Sequence, residues 1–95
     1  MTKITDPVEI AEELSKWYNK EVTAYVNVNP YVEFAMKSKL TKTVSGSWRV
    51  QLGIQAAATA IIFTARGVTD LRLQENGDLH ININLATPEA TGEFS

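Results

Sequence analysis

The chain has 95 residues, of which 44% are hydrophobic and 21% are charged, and its formal net charge at pH 7 is −2. This length and composition fit one globular domain with a modest core, and they exclude a disordered or fibrous protein. The chain contains no cysteine, so disulfides, thiolate metal sites and cysteine nucleophiles are excluded as well.

Neither the first residues of the chain nor its most apolar segment indicates a membrane. The first residues, MTKITDPVEIAEEL, place acidic side chains where a signal peptide has its apolar stretch. The longest apolar run, AAATAIIFTA at residues 56–65, is far shorter than the roughly 20 residues that a spanning helix needs. We therefore expect a cytoplasmic protein with no membrane contact.

The first predicted element is a helix over about residues 7–19. Asp6 is a suitable N-cap, and Glu9 follows at the spacing of a capping box. After this helix the apolar period changes to two, which predicts strands over 22–28, 31–44 and 48–55. Three-residue loops between them keep the even-numbered apolar residues on one face of an antiparallel sheet. We place these loops at 29–31 and 45–47.

The segment AAATAIIFTARG interrupts this alternation and predicts a second helix over about 56–66. Alanine is the best helix former, and a glycine directly after Arg66 is a common helix stop. A strand over residues 61–65 is the alternative, because isoleucine, phenylalanine and threonine favour strands. As a helix, this segment would lie buried on the sheet, within a right-handed crossover to the next strand.

The last predicted element is a hairpin of strands 68–74 and 79–85. A three-residue turn at 75–77, with its glycine in a left-handed bulge, keeps leucine opposite leucine, which a two-residue Asn-Gly loop does not. This register places Arg72 opposite His80. The predicted fold is therefore α+β in the order α-β-β-β-α-β-β, a mainly antiparallel sheet with both helices on one face. Residues 1–85 form the single domain, and residues 86–95 form a loose tail.

The hairpin of strands 31–44 and 48–55 is unusually long, since typical strands have five or six residues. It also lies in a segment, residues 34–69, that carries five basic residues and no acidic one. One interpretation is an arm that docks its apolar side on a partner; the other is a break near Ser38 that folds the arm back onto its own core. The candidate partner-binding residues are Lys37, Lys39, Lys42, Val44, Trp48 and Arg49.

A second candidate surface is the polar face of the sheet, which collects amide and charged side chains. Asparagine is poor in strands, so its recurrence in VNVN and ININ calls for a reason. The functional interpretation is a site for a polar ligand, and the structural one is a wet face that resists edge pairing. The candidate ligand-binding residues are Asn27, Arg72, His80 and Asn82.

No catalytic or cofactor motif is present in the sequence. The single histidine, His80, has no partner set for a metal or a nucleophile, and the five glycines form no phosphate-binding loop. We therefore predict no catalytic residue, metal ligand or cofactor.

The favoured function is that of a non-enzymatic interaction protein that forms a homodimer and contacts partners, an acidic protein among them, through the basic hairpin. One alternative is a small-ligand-binding protein or enzyme that uses the polar sheet face. The other is an RNA- or DNA-binding module, although a pI near 5.3 disfavours general nucleic-acid binding.

Overall fold

The computed structural model describes residues 2–29, 32–52, 59–85 and 90–94. In these ranges the chain forms a small mixed α+β fold with one α-helix and a mostly antiparallel, sheet-rich core. A short 3-10 turn (Ala65–Gly67) precedes the seventh strand. The elements are β1 (Thr2–Ile4), α1 (Pro7–Lys16), β2 (Glu21–Asn29), β3 (Val32–Lys39), β4 (Thr41–Lys42), β5 (Trp48–Leu52), β6 (Thr59–Phe63), β7 (Val68–Leu73), β8 (Leu79–Asn84) and β9 (Ala90–Phe94).

The helix α1 begins as predicted. The side chain of Asp6 accepts a hydrogen bond from the backbone N–H of Glu9 at 3.1 Å, which caps the first turn. The helix ends at Lys16, about one turn earlier than the sequence pattern predicts. Ile10 and Leu14 are fully buried, and they hold the helix on the core.

Five strands form the first sheet, in the order β1-β7-β8-β2-β3. β2 and β3 are antiparallel, with Ala24 opposite Met36 and Val26 opposite Phe34, as predicted. The predicted loop at 29–31 is wrong at its first residue, because Asn29 belongs to β2 and pairs with Val32 after a register shift. On its other side β2 pairs with β8 in parallel. The sequence pattern did not predict this parallel pairing, and it brings the asparagines of VNVN and ININ together.

The second sheet has the order β4-β5-β6-β9, and it explains the unusually long predicted strand. The chain breaks at Leu40, so that β3 belongs to the first sheet and β4 pairs with β5 in the second. Leu40 is fully buried at this break. Over residues 32–52, which the structure describes, the arm is therefore folded back onto its own core and does not protrude as an extended hairpin.

The turn of the second sheet is displaced by one residue from the predicted loop. The backbone N–H of Thr43 donates to the carbonyl of Ser47 at 2.8 Å, which closes the loop over residues 44–46. Gly46 takes a φ of +90°, a value that glycine adopts without strain. Val44 consequently lies at the tip of the loop instead of opposite Trp48.

The predicted second helix is wrong in the part that the structure describes. Thr59–Phe63 forms strand β6, antiparallel between β5 and β9, while residues 56–58 lie outside the described ranges. Ile61 and Phe63 are buried and Ile62 is half-buried, which is the alternation of a strand. Helix propensity is a weak preference, and in Thr59–Phe63 the pairing on both sides outweighs it. The predicted crossover helix is therefore replaced by this strand.

Two further strands were not predicted. β1 lies at the edge of the first sheet and pairs with β7, and β9 pairs with β6 in the region where a loose tail was expected. Both are short and lack a clear alternation, so their pairing depends on the neighbouring strand more than on their own pattern.

The β7–β8 hairpin confirms the predicted register. Gly77 has a φ of +93°, and the N–H of Gln74 donates to the carbonyl of Asp78 at 2.8 Å around a three-residue loop. Arg72 therefore lies opposite His80.

The two sheets and α1 share one hydrophobic core. Its buried side chains come from the helix, from both central strands of the second sheet and from the inner faces of β2, β3, β7 and β8. Within the described ranges, no helix combines the length and the apolar character that crossing a bilayer requires. The face of the first sheet that points away from this core carries polar side chains.

Candidate functional site

The outward face of the first sheet contains a polar concavity with a volume of about 500 Å³. Strands β2, β3, β7 and β8 supply its side chains, which point away from the core. All four residues predicted from the sequence as ligand-binding are among them. The lining residues are Tyr25, Asn27, Glu33, Thr69, Asp70, Arg72, His80 and Asn82.

Strand register places these side chains in rows that run across the sheet. One row brings Arg72 on β7 next to His80 on β8. The adjacent row runs from Asp70 on β7 through Asn82 on β8 to Tyr25 on β2. Because neighbouring strands are only about 4.8 Å apart, side chains within a row are in contact range. The parallel pairing of β2 with β8 brings the lining residues of β2 and β3 next to those of β7 and β8.

Asp70 lies on this face because it is two residues before Arg72 in the same register, and a β-bulge in β7 directly precedes it. Val68 lies opposite Ile83, and Asp70 lies opposite the next residue of β8, Asn82, so two steps on β7 match one step on β8. Val68 is therefore buried in the core while Asp70, two residues later, joins the outward row. Bulges commonly re-aim a side chain next to a functional site.

Asp70 is the centre of a small hydrogen-bond network. Its Oδ1 accepts from Nδ2 of Asn82 at 2.6 Å and from Nε of Arg72 at 3.3 Å. The carboxylate is almost completely covered, with 5% of the residue exposed, whereas 40% of the Arg72 side chain is exposed. Asp70 thus holds the guanidinium through Nε. The two terminal amino groups of Arg72 have no hydrogen-bond partner among the described residues, and they match a planar, bidentate acceptor such as a carboxylate.

His80 and Tyr25 form the aromatic part of the concavity. Their ring centroids are 5.2 Å apart and the rings are inclined at 61°, an edge-to-face arrangement that restrains both side chains. A neutral imidazole offers one donor and one acceptor, and a phenol offers both in one group. This corner can therefore contact either kind of polar group on a ligand.

The far rim of the concavity is acidic. Glu33 on β3 lies opposite Asn27 on β2, and its side chain is exposed. Nδ2 of Asn27 is 3.5 Å from the carbonyl oxygen of Ile83, too long for a strong hydrogen bond, so the amide can still bind a ligand. The near rim is cationic, because Lys3 on β1 lies opposite Arg72. The concavity therefore has charges of opposite sign at its two ends.

The six predicted partner-binding residues do not line this concavity, and they are divided between the two sheets. Lys37 and Lys39 are exposed on β3, and Nζ of Lys37 is 3.9 Å from Glu21. The other four lie on or next to the turn of the second sheet.

At that turn the basic and apolar side chains have different environments. Nζ of Lys42 lies 4.6 Å from the ring centroid of Trp48, whose residue is only 6% exposed because it belongs to the core. Arg49 is half-buried and donates from Nη1 to Oε1 of Gln51 at 3.2 Å. Val44 is fully exposed. The interpretation of this hairpin as a docking arm requires accessible apolar side chains. Of the predicted apolar contact residues, Val44 and Trp48, only Val44 is accessible.

Four lining residues were not among the predicted ligand-binding candidates. Tyr25 and Glu33 share the odd-numbered parity of Asn27, so the alternation on β2 and β3 places them on the same face. Choosing them required the parallel pairing of β2 with β8, which no local pattern predicts. Asp70 shares the even-numbered parity of Arg72, so the alternation on β7 places it on this face as well, whereas the exposure of Thr69 depends on the bulge.

Among the described residues, no three histidine, aspartate or glutamate side chains are arranged to hold a metal ion. Comparison with family models, with curated proteins and with solved structures found no match to this chain.

Proposed function

We propose that this protein binds a small, polar ligand in the concavity of the five-stranded sheet. The observation that supports this proposal best is the convergence of Asn27, Arg72, His80 and Asn82 around one volume of about 500 Å³. That volume is in the range of small-molecule sites. Because the lining is polar, the ligand is a hydrophilic one.

The site is organised before any ligand arrives, which favours binding. Asp70 fixes the side chains of Arg72 and Asn82 through hydrogen bonds, and Tyr25 restrains His80. A ligand then meets groups that have already lost their rotamer freedom, so association costs less conformational entropy.

Binding is favoured over catalysis because none of the described carboxylates is hydrogen-bonded to His80 to orient it as a general base. The nearest acidic side chain in the neighbouring row, Asp70, is engaged by Asn82 and Arg72. A nucleophile–base–orienter arrangement needs that carboxylate on the histidine.

The proposal is tested by titrating ¹⁵N-labelled protein with a panel of polar compounds, including amino acids, short peptides, monosaccharides and nucleosides. The side-chain amides of Asn27 and Asn82 report on the concavity, and that of Asn76, in the β7–β8 turn, is an internal control. We expect at least one compound to shift the first two signals and leave the third unchanged. If no compound does so up to about 10 mM, where even millimolar binding is visible, the proposal is wrong.

We propose, as a second function, that the turn of the second sheet contacts a partner protein. Another copy of this chain can be that partner. The supporting observation is Val44, an apolar side chain that is fully exposed at the tip of the loop, close to the basic Lys42. Since Leu40 and Trp48 are buried in the core, this contact is restricted to the tip. It is therefore less well supported than the ligand site.

A further inference from the structure

We propose that the ligand of the concavity is a short peptide-like zwitterion, with its carboxylate at Arg72 and its ammonium group at Glu33. This inference rests on the proposed ligand-binding function, and it adds the class and the orientation of the ligand. It follows from the position of two opposite charges at diagonally opposite corners of one polar surface.

The strand register gives the scale of this separation. Arg72 lies on β7 and Glu33 on β3, three strands further, which corresponds to about 14 Å across the sheet. His80 pairs with Arg72 on one side and with Thr23 on the other, so Arg72 lies at the level of Thr23. Glu33 pairs with Asn27, which is four residues or about 13 Å further along β2. The two long side chains shorten the diagonal, and the gap that is left suits about two or three residues of extended peptide.

The groups between the two charges match a peptide backbone. Asn82 and Asn27 lie along the diagonal, and a carboxamide carries both a donor and an acceptor, as a peptide unit does. The Oδ1 of Asn82 has no partner among the described residues, because only its Nδ2 is engaged by Asp70. These amides can therefore bind a peptide N–H, while Arg72 and Glu33 bind the ends.

The charge of the concavity selects against ligands with one sign of charge only. A dianion would approach Glu33, and a dication would approach Arg72 and its neighbour Lys3. Like charges held close together are destabilising, which is how sites reject wrong ligands. A zwitterion avoids both contacts when it binds in the proposed orientation.

The experiment measures the dissociation constants of triglycine and of two blocked forms, N-acetyl-triglycine and triglycine amide, with wild type and four variants. Arg72→Gln and Glu33→Gln remove one charge each from the concavity. Arg49→Gln and Glu21→Gln are the matched controls. Arg49, like Arg72, is a strand arginine that donates to a side chain two residues away. Glu21, like Glu33, is an exposed glutamate of the five-stranded sheet.

We expect acetylation to weaken binding to wild type by about tenfold, because it removes a charge-assisted hydrogen bond. Glu33→Gln should weaken triglycine by the same factor and leave the acetylated form unchanged. Arg72→Gln should weaken the binding of triglycine by the same factor and leave the binding of triglycine amide unchanged. This is the pattern of a double-mutant cycle in which each protein charge is coupled to one ligand charge. The two control variants should bind all three probes as wild type does.

Two results would overturn the inference without affecting the proposed function. One is equal affinity for the free and the blocked peptides, and the other is no peptide binding while a sugar or nucleoside shifts the amides of Asn27 and Asn82. If no compound of any class shifts those amides, the proposed function itself is wrong. The failures of the two proposals are thus distinguishable.

Discussion

Asp70 and Asn82 lie opposite each other on β7 and β8, joined by a hydrogen bond of 2.6 Å from the amide to the carboxylate. Asp70 lies two residues before Arg72 in the same register, so the two side chains share the outward face, whereas the bulge turns Val68 into the core. The same carboxylate holds Arg72, so the carboxylate, the amide and the guanidinium form one unit. The geometry of the site is therefore built into two paired strands instead of a loop.

Replacing Asp70 with alanine should lower the free energy of unfolding by about 1.5–3 kcal/mol. The change removes two hydrogen bonds to a covered carboxylate and leaves the amide of Asn82 and the Nε of Arg72 without that acceptor. Urea denaturation of the variant measures the loss.

A double-mutant cycle with Asn82→Ala tests whether the two residues act together. Residues in one hydrogen-bond network typically show coupling energies of about 0.5–3 kcal/mol. Additive losses in the double variant would mean that Asp70 and Asn82 stabilise the fold independently.

Ile61→Asp should destabilise the protein by about 3–5 kcal/mol, because it places an unpaired charge in the core. Ile62→Asp is the matched control: the neighbouring residue is half-buried on the other face of β6, and its loss should be clearly smaller. Thermal and urea unfolding of both variants provide the comparison. Equal losses would contradict the alternation of a strand in this segment.

Gly77→Val should cost about 1–3 kcal/mol, because a β-branched residue resists the φ of +93° that this turn requires. A Cβ at this position would meet no atom within 4 Å, so the cost is that of the backbone conformation alone. Gly77→Asn should lose less, since asparagine tolerates the left-handed region. If both variants unfold with the same midpoint as wild type, the bulged turn is not needed for the register.

Trp48→Glu should destabilise the fold by at least about 3 kcal/mol, because the structure buries this side chain in the core. It is consequently a poor probe of the homodimer that the sequence predicts. Val44→Glu changes only the exposed loop tip and should leave stability within about 0.5 kcal/mol of wild type. Sedimentation at about 100 μM, well above a typical micromolar constant, should show a dimer for wild type and a monomer for Val44→Glu if the tip mediates association. A monomeric wild type would contradict the dimer.

The sequence predicted those elements in which local chemistry and hydrophobic pattern agree. Asp6 and Glu9 determine the start of α1, and the alternation on β2 and β3 determines their register. The three-residue turn that ends at Gly77 follows from keeping leucine opposite leucine, and it brings Arg72 opposite His80. These choices depend on residues close together in the chain.

The remaining features depend on contacts between distant parts of the chain. Thr59–Phe63 is a strand although the sequence predicts a helix over 56–66, because pairing with β5 and β9 outweighs helix propensity. The break at Leu40 follows from a second sheet that competes for the long strand. The bulge before Asp70 has no signature in its own sequence, and neither has the parallel pairing of β2 with β8. Half of the residues that line the concavity could therefore be assigned only from the three-dimensional structure.

The most direct test of the central claim is the dissociation constant of the tightest-binding polar compound, measured for Arg72→Gln and for Arg49→Gln. Both are strand arginines that donate to a partner two residues away, and only Arg72 lines the concavity. Arg72→Gln should weaken binding by about tenfold or more, because a charge-assisted hydrogen bond is lost, and Arg49→Gln should bind as wild type does. Equal affinity of the two variants would contradict a ligand site on the outward face of the five-stranded sheet.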